Sequence, residues 1–294
     1  VLVGPARLPE PAPPPPPVTR LFGIIGSPIG HSLSPVMHEA ALRALGLDAR
    51  YTAIDVPPRF LRPALRALIL AGVEGLNVTV PLKEAALRLM DRLDVSARAT
   101  GAVNTIVIRN RRTVGYNTDG IGFVRAVSEL GWRPRPDAQA LVLGAGGAAR
   151  AVAWELARRG TGCVAIANRH PARAKRLAAS LSRQRLPACV CAVPLRDADV
   201  AAADLVVNAT TVGMRAGDRP LIDPGALRRG TLVYDLVYHR ETALVRAARR
   251  RGCVAAGGLS MLLYQGAESL RLWLKRPPPV EAMRRALQRA TQGD

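Results

Sequence analysis

Of the 42 lysines and arginines in this 294-residue chain, only Lys83, Lys175 and Lys275 are lysines, so nearly every position that needs no more than a positive charge carries Arg. Lys83 lies in the stretch Asn77-Val-Thr-Val-Pro-Leu-Lys-Glu84, where a β-branched strand reaches a proline and a helix is expected to begin. A guanidinium stays protonated in proteins, whereas an ammonium desolvated near a helix start can release and recover a proton near neutral pH. The residue type at this point suits proton transfer. A second chemistry belongs to Ser32 and Ser34. With Ser34 as N-cap and Pro35 at the first helical position, two hydroxyls stand beside unpaired amides, a place that favours a carboxylate or a phosphate. His31 and His38, seven apart with no third ligand in view, read as structural.

A third group carries the strongest local signal. An apolar strand at 140–143 runs into Gly144-Ala-Gly146-Gly147-Ala-Ala149, a helix at 148–159 follows, and a second strand spans 163–167. This G-x-G-x-x-A string is the dinucleotide fingerprint in its strand–turn–helix setting, so Gly144, Ala145, Gly146, Gly147 and Ala148 are expected to offer backbone amides to a pyrophosphate. In an NAD site the second strand usually ends in an acidic residue that binds the ribose hydroxyl. Here Asn168-Arg169-His170 stands at that place and Arg173 follows four residues after Arg169. A missing carboxylate with guanidinium groups in its place suits a 2′-phosphate, which indicates NADP.

These groups need elements to hold them. Strands are expected at 21–26, 49–56, 75–80, 140–143, 163–167, 205–208 and 232–235, with a further strand reaching about 109 before a turn at 110–112. Helices are expected at 36–45, 62–71, 120–130, 260–274 and 280–291. The alternation argues for mostly parallel sheets. Asn104 and Asp119 fall at strand margins, and the segments Asn208-Ala-Thr210-Thr-Val-Gly-Met214 and Asp235-Leu-Val-Tyr238 follow strand ends that line a ligand crevice. Residues 132–137, with two prolines, read as a boundary between modules. Residues 1–19, with the run Pro13 to Pro17, read as a disordered Pro-rich tail outside the fold.

Composition narrows the class. A hydrophobic content of 49% over 294 residues is enough for one large or two ordinary cores. The net charge of +20 favours an anionic ligand, yet the excess is spread along the chain and only 4% of residues are aromatic, which argues against a specific nucleic-acid partner. Cys163, Cys189, Cys191 and Cys253 show neither C-x-x-C spacing nor a neighbouring His pair, so no metal is expected, and a reducing cytoplasm fits. No apolar run reaches the roughly 18 residues a membrane helix needs.

Read together, the motifs resemble one family, shikimate dehydrogenase, from about Phe22 to Leu287. The resemblance rests on Gly30-His-Ser-Leu-Ser-Pro35, Asn77-Val-Thr-Val-Pro-Leu-Lys83, Gly101-Ala-Val-Asn-Thr105, Asn117-Thr-Asp-Gly120, Gly144-Ala-Gly-Gly147, Asn168-Arg169, Asn208-Ala-Thr210, Asp235-Leu-Val-Tyr238 and the segment Gly258 to Gln265. It implies NADPH-linked reduction of 3-dehydroshikimate to shikimate, a step towards chorismate and the aromatic amino acids. Ser32 and Ser34 would hold the substrate carboxylate, Thr79, Asn104, Tyr238 and Gln265 would line its pocket, and Lys83 and Asp119 would be the catalytic pair. Thr210, Met214, Gly258 and Met261 would join the cofactor site. The implied architecture is two α/β domains with a cleft between them: a mostly parallel-sheet substrate domain at 20–119 rejoined by 260–294, and a Rossmann-like NADP domain at 120–259. The expected partner is a small-molecule substrate, and a monomer or homodimer is expected. Two positions depart from the family pattern, with His170 where NADP-specific members often have Thr and Gly257 where many have Asp. A quinate/shikimate dehydrogenase with relaxed cofactor use is the alternative, although such members often have Asp soon after the Asn-Arg pair and none occurs at 168–174.

Overall fold

The computed structural model describes residues 19–292, so the expectation for the Pro-rich tail lies, apart from Thr19, outside the described residues. The chain builds two six-stranded sheets. The first comprises β1 (Arg20–Gly26), β2 (Ala49–Asp55), β3 (Val73–Val78), β4 (Arg92–Leu93), β5 (Thr105–Arg109) and β6 (Arg112–Tyr116), in the order β2-β1-β3-β5-β6-β4. Three of its five neighbour pairings are parallel, and β5 runs antiparallel to both β3 and β6. The β5–β6 turn needs positive φ at two successive residues, and Asn110 and Arg111 supply φ of 49° and 59°.

Helices α1 (Ser34–Ala44), α2 (Leu61–Leu70), α3 (Lys83–Leu87) and α4 (Val95–Thr100) complete this part, and α5 (Asp119–Glu129) then packs Phe123, Val124, Ala126 and Val127 into the core of the second sheet. Asp94 caps α4, its carboxylate accepting from the Ser96 amide at 2.9 Å. The central strand β1 is buried along its last five residues because both faces of the sheet are covered.

The second sheet holds β7 (Gln139–Leu143), β8 (Cys163–Asn168), β9 (Cys189–Pro194), β10 (Leu205–Asn208), β11 (Leu232–Asp235) and β12 (Val254–Gly257). All its pairings are parallel, in the order β12-β11-β10-β7-β8-β9, which is the doubly wound order of dinucleotide-binding sheets. Helices α6 (Gly147–Arg158), α7 (Pro171–Ser182) and α8 (Ala243–Arg250) connect its strands. The strand order reverses between β7 and β10, and the crevice at their C-terminal ends is where such sheets bind ligands.

After β12 the chain returns to the first sheet. Leu263, Ala267, Leu270, Leu272 and Trp273 of α9 (Leu259–Leu274), with Met283 and Leu287 of α10 (Val280–Gln292), share one core with Phe22, Ile24, Met37, Leu42 and Tyr51. Trp273 is the largest fully buried side chain and donates its indole N–H to the Ile106 carbonyl at 2.9 Å. Gly75 makes this contact possible, since a Cβ there would stand 2.3 Å from the indole nitrogen.

Candidate active site

Lys83 opens the five-residue α3, and its main-chain carbonyl accepts from the Val103 amide at 2.9 Å, which ties the helix to the segment before β5. Its Nζ lies 2.5 Å from Asp119 Oδ2, with side chains 16% and 6% exposed. Asp119 is the first residue of α5, just past the end of β6 at Tyr116, in line with its expected place at a strand margin. Its other oxygen, Oδ1, accepts from Asn104 Nδ2 at 2.7 Å. The orientation of Asn104 is fixed by its neighbours, because the Thr118 main-chain N–H can only donate and meets Oδ1 at 2.8 Å, which leaves the amide N–H groups facing Asp119. Asn104 Nδ2 also reaches Gln265 Oε1 at 3.3 Å, so a residue of α9 joins the pair. An ammonium–carboxylate pair this little exposed, with both carboxylate oxygens hydrogen-bonded, is restrained in its geometry.

Behind this pair runs a buried polar network that sequence reasoning missed in part. The Tyr51 hydroxyl donates to Asn77 Oδ1 at 2.8 Å, and Asn77 Nδ2 donates to Ser269 Oγ at 2.9 Å. The Ser269 hydroxyl sits 2.7 Å from Thr105 Oγ1 and 3.3 Å from Thr118 Oγ1, and those two threonines bond Asn104 Oδ1 in turn. Burial pushes the Tyr51 phenol well up, with a lesser opposing effect from the neighbouring Ser34 hydroxyl, so it stays a neutral donor. Thr118 and Ser269 carry no spacing signal of their own. The one clue to Thr118 was its place beside Asp119.

Ser34 does not cap α1 as expected. The N-cap is Leu33, and the Ser32 hydroxyl accepts the Ser34 amide at 3.3 Å, so the capping bond comes from the serine two residues earlier and Ser34 begins the helix with Pro35 behind it. Ser34 is buried and Ser32 half-buried. Thr79 follows β3, half-buried, its amide bonded to the Ile25 carbonyl at 2.9 Å, and Tyr238 follows β11, half-buried, with burial pushing its phenol up. Among the described residues no side-chain hydrogen bond ties Thr79 or Tyr238 to the Lys83 network.

The fingerprint loop lies against this pair. Gly144 adopts φ +122°, where a Cβ would meet the Ala209 carbonyl oxygen at 2.9 Å, whereas a Cβ on Gly146 would meet nothing within 4 Å. A Cβ on Gly147 would come within 3.7 Å of Lys83 Cδ, so the loop and the lysine border the same space. Helix α6 has neither a side-chain cap nor an acidic residue in its first turn, and α7 likewise lacks both. The free amides of α6 therefore suit a pyrophosphate, which fits the donor set a dinucleotide requires. At the end of β8, Asn168 is half-buried and Arg169 and Arg173 are exposed, neither arginine in an ion pair among the described residues.

Across the crevice, Asp235 is a scaffold and not a ligand. Its carboxylate accepts from Asn208 Nδ2 at 3.0 Å, Thr242 Oγ1 at 2.7 Å and the Val237 amide at 3.1 Å, and burial pushes its pKa up. Asn208 Oδ1 then accepts from Thr210 at 2.7 Å, which shapes the loop that leaves Met214 48% exposed. At the start of α9, Gly258 packs so that a Cβ would meet the Leu236 oxygen at 2.3 Å, and the buried Met261 donates its amide to the Tyr234 hydroxyl at 3.0 Å. Gly257 closes β12 opposite Asp235, where a Cβ would stand 3.0 Å from the Val237 oxygen.

Three family models match the chain: the shikimate dehydrogenase substrate binding domain at 24–106, shikimate / quinate 5-dehydrogenase at 132–225, and the shikimate 5'-dehydrogenase C-terminal domain at 258–288. The chain is 49% identical to shikimate dehydrogenase (NADP(+)) of Moorella thermoacetica over 279 residues, covering 92% of this chain and 94% of that protein. Among solved structures, it is similar to shikimate 5-dehydrogenase from Thermus thermophilus in complex with NADP(H) and shikimate, with a TM-score of 0.84 and 39% identity over 92% of this chain and 99% of that one. It is also similar to quinate dehydrogenase from Corynebacterium glutamicum in complex with NAD, with a TM-score of 0.85 and 36% identity over 92% and 99% of the two chains.

Proposed function

The chain belongs to the shikimate dehydrogenase family, and from that premise we propose that it is an NADP-dependent oxidoreductase that interconverts 3-dehydroshikimate and shikimate, with Lys83 and Asp119 as its acid–base pair. The observation that carries the residue assignment is the 2.5 Å contact between Lys83 and Asp119 beside the glycine loop. Bound at that loop, the reduced dinucleotide supplies the hydride. Gly144, Ala145, Gly146, Gly147 and Ala148 hold its pyrophosphate, Asn168, Arg169 and Arg173 its 2′-phosphate, and Thr210, Met214, Gly258 and Met261 border its other end.

Ser32 and Ser34 take the substrate carboxylate at the start of α1, and Thr79, Asn104, Tyr238 and Gln265 orient the ring. In the reducing direction Lys83 gives a proton to the ketone oxygen as negative charge grows there, and takes it back in the oxidising direction. Asp119 keeps the ammonium aimed at that oxygen, and Asn104 keeps Asp119 from turning away. Residues 20–119 with 260–294 act as the substrate domain and 120–259 as the cofactor domain. The division is supported by the shared core of α9, α10 and β1. The enzyme works as a monomer or homodimer in a reducing cytoplasm, in keeping with four free cysteines.

Initial rates with shikimate and quinate, each with NADP and NAD, test the proposal. The expected result is a high kcat/KM only for shikimate with NADP. Equal or better turnover of quinate with NAD would replace it with the quinate reading that the Corynebacterium structure represents.

A further inference from the structure

The fold gathers three cysteines that the sequence separates. Cys163 opens β8 and Cys189 opens β9, and the two are direct partners in the parallel register, with Cys191 two residues further along the same strand. Val164 and Ile166 of β8 pack with Ala174, Leu177 and Leu181 of α7, and Val190 and Ala192 of β9 pack against the same cluster. Strand alternation therefore turns all three thiols to the opposite face, at the free edge of the sheet. Cys189 is exposed and the other two are half-buried, while Cys253 lies buried elsewhere with its thiol on the Arg228 carbonyl.

We propose that Cys163 and Cys189 form a reversible disulfide across β8 and β9 when the protein meets a peroxide. Neighbouring strands run about 4.7–4.9 Å apart, inside the roughly 4.4–6.8 Å Cα window of a disulfide, and the Cβ atoms of directly opposed residues, about 4.5–5.5 Å apart, need to close by only about 1 Å to bridge. Cys189 and Cys191 point the same way from one strand with Cβ atoms about 6–7 Å apart, beyond the roughly 3.5–4.5 Å a bridge allows. The exposed Cys189 reacts first. Its thiolate attacks one peroxide oxygen, an S–O bond forms, the O–O bond breaks, and the departing hydroxide takes a proton to become water. Sulfur is oxidised by two electrons and the peroxide is reduced.

The Cys163 sulfur then attacks the sulfenic sulfur, an S–S bond forms, the S–O bond breaks, and hydroxide leaves as a second water with the thiol proton. Burial, followed by electrostatic coupling to Cys191 and Cys189, pushes the Cys163 thiol up to about 12, so the exposed Cys189 and not Cys163 is the one that meets the peroxide. A dithiol reductant reverses the bridge by exchange.

The test treats the whole purified protein with hydrogen peroxide and reads intact mass and disulfide-linked peptides. The expected result is loss of two hydrogens, a Cys163–Cys189 cross-linked peptide, and recovery of the starting mass with dithiothreitol. Cys191→Ser and Cys253→Ser should keep the bridge. Cys163→Ser should lose it and instead gain oxygen at Cys189. A wild-type protein that gains oxygen at Cys189 without a bridge, a bridge between Cys189 and Cys191 or between Cys163 and Cys191, or a link formed only between two molecules would each overturn the proposal. The wild-type peptide map decides the matter even if a variant folds poorly.

Discussion

Lys83 can be distinguished from a mere cation by exchanging it for the other one. Lys83→Arg keeps the charge at nearly the same reach and removes the capacity to release a proton, so kcat should fall by about 10²–10⁴ with little change in the KM for shikimate. Retention of more than about a tenth of kcat would show that charge alone suffices. Asp119→Asn should share much of the loss, and the double variant should be far from additive because the two side chains act through one contact. Cofactor choice is argued at the same scale. Arg169, exposed and without an ion-pair partner among the described residues, is free for a 2′-phosphate, and Arg169→Ala should reduce the NADP over NAD preference about 10–100-fold, read as a ratio of kcat/KM values. Lys83 stands out in the sequence because its type is rare in this chain, and Arg169 because it occupies the place where an NAD site has a carboxylate. Ser269 was not legible, since a serine inside an amphipathic helix shows no preference for the polar network over solvent until the partner strands are in place.

Helix α9 does two jobs that can be separated by substitution. Its docking depends on Gly75 lying flush beneath Trp273, so Gly75→Ala should cost about 1–3 kcal/mol, measured as a lowered urea midpoint, while substrate affinity in the folded fraction stays near normal. Its hydroxyl at Ser269 reaches Thr105 and Thr118, so Ser269→Ala should lower kcat severalfold with a much smaller loss of melting temperature. An unchanged kcat would mean that the network is packing and no more. The strongly periodic elements were visible in the sequence, including β1, α1, α5, α9 and the strand–glycine–helix unit around β7. Helices α4, α7 and α8 and strands β4, β9 and β12 were not. Strand β9 reads Cys-Val-Cys-Ala-Val-Pro and β12 reads Val-Ala-Ala-Gly, short runs rich in small residues whose strand character comes from the sheet beside them. Strand β3 lies two residues earlier than expected, at Val73–Val78, because pairing with β1 and the bond from the Val78 amide to the Asn104 carbonyl fix where the ladder ends.

Stability of the whole molecule should carry the signature of one buried imidazole. His38 is completely buried, stacked 4.3 Å from the Tyr51 ring, and both of its nitrogens lack partners among the described residues. Burial lowers its pKa from 6.5 to about 3, so the folded protein refuses a proton that the unfolded chain accepts. Stability from this group is therefore full above pH 6.5 and declines as the pH falls towards about 3, with a slope of up to about 1.4 kcal/mol per pH unit. His38→Phe should remove about one proton from the acid dependence, read by comparing urea midpoints between neutral pH and pH 4.5, and parallel profiles would exclude the effect. The core around His38 is also closed by residues from opposite ends of the chain, with Phe22, Ile24 and Met37 covered by Leu263, Trp273, Met283 and Leu287. The strands of the first sheet are synthesised before those of the second, so the sheet made earlier is the one finished later. The second sheet can pair its strands while one face of the first still waits for α9 and α10, its other face being already covered by Leu61, Leu65, Leu82 and Ala86. A premature stop within α9 would thus cost the earlier sheet far more of its core than the later one, which draws on that helix for Met261 and Tyr264 alone.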